Sequence, residues 1–152
     1  MGMQRFAWWV LTLVAGVAWG CGSRSPLPPP AERLPGKWHG EMIVYEETQS
    51  RLPPEKVAEL AKMQMDFEFH PDGSMALMGV HDGKAYTAQG RWQPVRQEGD
   101  VLVIKSIEQT GTEKDIQIEF DGSDTFYIPL NGRPAPDAEV AELGAMRFTR
   151  LR

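Results

Sequence analysis

Three histidines and eight methionines are the residues of this chain best suited to metal or proton chemistry. Met63-x-Met65 places two thioethers on one face of a strand. Met75-x-x-Met78, His39, His70 and His81 add donors that copper would accept. Against that reading, His70 and His81 each begin a turn beside aspartate and glycine, where exposed histidines are ordinary. Met65 belongs with Phe67 on a core face, so no metal and no cofactor is expected. For proton chemistry, His70 with Asp72 and His81 with Asp82 could pair a base with an orienting acid. The nearby hydroxyl, Ser74, lies in a hairpin without the glycine pattern of a nucleophile elbow. Glu46 and Glu47 stand in a row at a strand end, the pattern of a solvated charge cluster. No catalytic residue is assigned, and the chain is expected not to be an enzyme.

The elements that carry these side chains follow a period of two. Met63, Met65, Phe67 and Phe69 alternate with Gln64, Asp66, Glu68 and His70, the signature of a half-buried strand. Trp38, Gly40, Met42 and Val44 alternate in the same way ahead of it. His70-Pro71-Asp72-Gly73 supplies a turn, and 74–79 returns as the hairpin partner. Further strands are expected at 84–93, 101–109, 114–120, 125–130 and 145–151, with turns at 81–83, 97–100, 110–111 and 121–123. About eight short strands at even spacing predict a mainly β fold, an antiparallel up-and-down barrel, because closure removes both exposed edges.

One short helix is expected after the first strand, over 52–62. Proline stands in its first turn, Leu52 and Val57 form a hydrophobic staple, and Val57, Leu60 and Ala61 share a face. The loop 131–144, with Pro134 and Pro136, could form a second short helix over 137–143 and rim a pocket or present a surface.

Before the barrel the composition changes twice. Residues 1–20 carry Arg5 and an apolar run over 6–19, too short to span a bilayer comfortably and of the length of a signal peptide. Residues 21–35 follow as a tether rich in proline, extended in geometry and unable to build a core. Residues 36–152 form the folded domain. Cys21 is the single cysteine, so the rest of the chain has neither a disulfide nor a cysteine metal site.

The formal net charge is −5, and −6 once residues 1–20 are removed. That balance lacks the clustered Lys and Arg that nucleic acid or anionic lipid would require, so no nucleic acid is expected.

Two resemblances follow from these residues. Arg5, the apolar run, Gly20 and Cys21 resemble the signal of bacterial lipoproteins, in which the cysteine after the cut receives a diacylglycerol thioether and an acylated amino terminus. This implies a lipid attachment at Cys21 and a protein held on the cell envelope, at the outer membrane on its periplasmic or surface face. A plain signal peptide or an uncleaved anchor is the alternative. Gly36-Lys37-Trp38, the hairpin at 69–74, Gly90-Arg91-Trp92 and a closing strand with Met146-Arg147-Phe148-Thr149-Arg150 look like the small bacterial lipocalin-like domains. The resemblance implies that Gly36 and Trp38 close one barrel end, with Arg150 or Arg147 packed over the tryptophan ring. It also implies a binding module for a small apolar or amphipathic molecule, its interior lined by Met42, Met65, Phe67, Met75, Tyr86, Trp92 and Phe126. The alternative is an envelope interaction or structural protein whose barrel is filled, with a protein partner that the sequence does not name.

Overall fold

The computed structural model describes residues 26–81, 83–133 and 137–152. The elements run α1 (Pro30–Arg33), β1 (Gly36–Val44), α2 (Glu46–Gln49), α3 (Pro54–Leu60), β2 (Gln64–Phe69), β3 (Ser74–His81), β4 (Lys84–Glu98), β5 (Val101–Glu108), β6 (Glu113–Asp121), β7 (Thr125–Gly132) and β8 (Ala141–Arg150). Each strand pairs antiparallel with the next, and β8 returns to pair with β1, so the sheet is a closed barrel. The alternation read from the sequence is the alternation seen. Trp38, Met42 and Val44 of β1, Phe67 and Phe69 of β2, and Leu102, Ile104 and Ser106 of β5 are buried. Side chains on one face of a twisted strand point inward at every second residue, so closure gathers these sets into a single core.

Aromatic rings fill the axis. Phe67 stacks on Phe69 with centroids 5.1 Å apart, Phe126 stacks on Phe148 at 4.7 Å, and Trp92 meets Phe69 edge-on at 5.9 Å. A Cβ on Gly40 would stand 2.4 Å from the Phe148 ring, so the missing side chain is what lets that ring cross the barrel.

The closed base is built around Trp38. Its indole donates to the Leu34 carbonyl at 2.8 Å, and its ring lies edge-on to Phe126 at 4.6 Å and Phe120 at 6.2 Å. Beneath it lies α1, a helix that the composition of 21–35 hides. Leu34 and Arg33 are buried, so 30–34 belongs to the packed domain and is not part of an extended spacer. Proline at the first helical position fits that turn, since its missing N–H would have no partner there.

Three other boundaries differ from expectation. Glu46 and Glu47 open α2, whose Thr48 is buried with its hydroxyl donating to the Glu142 carbonyl. The expected helix over 52–62 is realised as Pro54–Leu60 with Pro53 as its cap. The short helix expected over 137–143 is not formed at its end, because Ala141–Leu143 already belongs to β8, where Ala141 pairs with Gly132 and Glu142 with Asn131. The leader 1–20, Cys21, Asp82, Pro134 and Pro136 lie outside the described residues.

Candidate functional site

The two barrel ends differ in chemistry, and the base is locked by arginines. The Arg150 guanidinium lies 4.1 Å from the Trp38 ring centroid. It donates to the carbonyls of Pro35 at 2.9 Å, of Ser123 at 3.3 Å and of Arg33. Gly36 explains the opening of the Gly-x-Trp triplet. Its φ is +140°, and a Cβ there would stand 2.4 Å from an Arg150 nitrogen. Arg33 makes a matching contact 4.6 Å over the Phe120 ring while pairing with Asp100 at 2.5 Å and donating to the Gly122 carbonyl at 2.6 Å. Arg147, the other arginine expected at the closure, faces outward and pairs with Glu41 at 3.0 Å. Met146, Phe148 and Arg150 share the inner face of β8, which puts Arg147 on the outer one. That parity was present in the sequence.

The seven residues expected to line a ligand cavity separate into two groups. Phe67, Phe126, Trp92, Met42 and Met75 are buried in the core. The Trp92 indole also donates to the His70 carbonyl at 3.1 Å. Met65 and Tyr86 instead reach the opposite end of the barrel. There they border a cleft of about 540 Å³ with Met63, Gln64, Val80, Lys84 and Ala85. Tyr86 is 38% exposed, and its ring rests on Gly79, where a Cβ would stand 2.4 Å from the phenol oxygen. The tyrosine is therefore laid flat along the wall by a glycine notch on the neighbouring strand and does not project into the core.

A second hollow of about 630 Å³ adjoins the first. Glu55, Ala58, Glu59 and Leu60 of α3, Lys62 just beyond it, and Met63, Val80 and Gly83 line it. The hollows share Met63 and Val80, so they form one groove between α3 and the β3–β4 hairpin. Sequence reading missed Val80, Ala85 and Lys84. The available signal was β3 itself, where Met75 and Leu77 on one face and Ala76, Met78 and Val80 on the other are all apolar. A strand apolar on both faces has something to cover on its outer side. Met78 and Val80 remain 45% and 53% exposed.

Met75 and Met78, considered together for metal chemistry, stand on opposite faces of β3. Met75 lies inside with the Ser106 hydroxyl 3.9 Å from its sulfur, whereas Met78 faces out. The His39 Nδ1 is 2.6 Å from an Asp66 oxygen on the outer wall. At the β2–β3 turn, the Asp72 carboxylate accepts from the Ser74 hydroxyl at 2.6 Å and the Ser74 amide at 2.8 Å. Those two bonds hold its pKa below the ordinary carboxylate value, and the Ser74 hydroxyl is directed at the aspartate.

Comparison with known proteins gives limited likeness. No family model and no curated protein matches the chain. Among solved structures the chain is similar to a redesigned β-barrel, at 14% identity and a TM-score of 0.45, over 84% of this chain and 100% of that one.

Proposed function

We propose that this protein is a non-catalytic binding module of the cell envelope, lipid-anchored through Cys21, that takes a small apolar or amphipathic molecule at the open end of a lipocalin-like barrel. The observation that carries this reading is the groove bordered by Met63, Met65, Val80, Ala85 and Tyr86, an apolar strip with Gln64 and Lys84 beside it and Glu55, Glu59 and Lys62 along its α3 side. The axis of the barrel is occupied by its own aromatic rings, so the ligand position moves to the rim. There two methionines supply adaptable surface and a tyrosine supplies a flat one. Covering about 200 Å² of ligand hydrocarbon would contribute roughly 5 kcal/mol before the costs of association. The tether leads into α1 at the base, so an anchor on Cys21 holds the barrel by its closed end and leaves the groove facing away from the membrane.

Native mass spectrometry of the protein taken from membranes tests both halves. An acylated Cys21 adds a covalent mass, and an anilinonaphthalene sulfonate probe adds one removable mass that the Val80→Asp variant loses. Absence of the covalent mass removes the anchor. Equal uptake of the probe by a folded Val80→Asp variant removes the groove. The second reading, a solid barrel that meets a protein partner, is favoured by the exposed Met78 and Val80 on its outer wall.

A further inference from the structure

The barrel wall is not equally zipped all round. β6 and β7 are both long, yet they pair only at Glu119↔Tyr127, Phe120↔Phe126 and Asp121↔Thr125. Beyond those pairs the strands separate, although β6 stays bonded to β5 as far as Glu113 and β7 stays bonded to β8 as far as Gly132.

The cause can be read from hydrogen-bond parity. The Phe120 amide donates to the Asp100 carbonyl, so the even residues of β6 turn their N–H toward β5 and the odd residues toward β7. The Arg150 amide donates to the Asp124 carbonyl, so the even residues of β7 belong to β8 and the odd residues to β6. After the pair Glu119↔Tyr127, the next bonded pair would be Gln117 with residue 129. Residue 129 is proline, which has no N–H to give. The ladder stops there, and Glu113, Asp115 and Gln117 turn their main-chain groups toward an edge that β7 does not fill.

That edge has a definite chemistry. Glu113, Asp115 and Gln117 are exposed on its outer face, while Ile116, Ile128 and Leu130 are half-buried against the core behind it. Among the described residues, Asp115, Glu119 and Glu142 are in no ion pair, and Glu113 is held by Lys105 at 3.2 Å. Burial, and after it the carboxylates of Glu142 and Glu119, raise the Tyr45 phenol pKa, so these two acids lie near one another on this side of the wall, where Lys105 stands opposite Asp115.

We infer that the split between β6 and β7 is a docking edge for an extended cationic peptide segment of another protein, which adds to β6 as a strand. Main-chain bonds to Asp115 and Gln117 supply the register. Basic side chains on one face of the peptide meet Asp115 and Glu119, and apolar ones on the other meet Ile116, Ile128 and Leu130. No residue of this edge lines the α3 groove, so the inference stands or falls apart from ligand binding there.

The test uses the full chain and a synthetic peptide of about ten residues alternating lysine and valine. Amide hydrogen exchange by NMR is expected to show Asp115 and Gln117 fast in the free protein and slowed at least tenfold with the peptide. A peptide alternating glutamate and valine should leave both amides fast. Pro129→Thr restores the missing donor and should abolish the response by closing the ladder. Asp115→Lys, which leaves β7 alone, should weaken peptide affinity at least tenfold. Slow exchange of both amides in the free protein, equal binding of the glutamate peptide, or protection elsewhere on the barrel would each overturn the inference.

Discussion

Arg147 and Arg150 offer a sharp comparison, since they are identical in chemistry, three residues apart and on opposite faces of β8. Replacing Arg150 with alanine removes the cation over Trp38, worth about 1 kcal/mol. It also strips donors from the carbonyls of Pro35 and Arg33, charge-assisted bonds worth roughly 1.5 kcal/mol or more each when sheltered. The side chain is 24% exposed, so solvent weakens part of this, and a loss of about 3 kcal/mol is expected. Arg147→Ala breaks one ion pair between side chains that are each nearly half exposed, at a cost of about 0.5 kcal/mol. Urea unfolding followed by far-UV circular dichroism measures the difference. With a slope near 1.5 kcal/mol per molar, the Arg150 variant should unfold about 2 M earlier and the Arg147 variant within about 0.3 M of the parent. Equal midpoints, or a larger loss at Arg147, would refute the account of the base.

Two further predictions concern the core and the first hairpin. Trp38→Ala should cost about 3–5 kcal/mol, since it empties a fully buried ring site and orphans the Leu34 carbonyl, whereas His70→Ala should stay within about 0.5 kcal/mol because its structural bonds are made by its backbone; denaturant midpoints of both variants check the ranking. Asp72 has a folded pKa below its ordinary 3.8, so the contribution of its bonds to Ser74 is present above that value and is lost as pH falls through the lowered one. An NMR titration of the carboxyl should show its pKa rise toward 3.8 in Ser74→Ala, and an unchanged curve would reject the assigned cause.

Much of the fold lies open in the chain because strand patterning is local. The period of two over 63–70, the turn at His70 to Gly73 and the proline-led helix after β1 each depend on neighbours a few residues away, and each appears in the structure. Even the outward direction of Arg147 follows from Met146 and Phe148 beside it. Composition misled at 30–34, where prolines suggested a spacer while Arg33 and Leu34 are buried against partners far along the chain, among them Asp100, Gly122 and Phe120.

What the tertiary structure decided is whatever depends on how the strands close. An alternating strand specifies an inner face but not the space left within it, and here closure brings Phe67, Phe126 and Phe148 together and fills the axis. The groove exists because α3 and the β3–β4 hairpin end side by side without covering Val80. Pro129 is legible as a proline in a strand. That its missing donor faces β6 rather than β8 is fixed by the register with β8, a pairing between distant segments that no local pattern encodes.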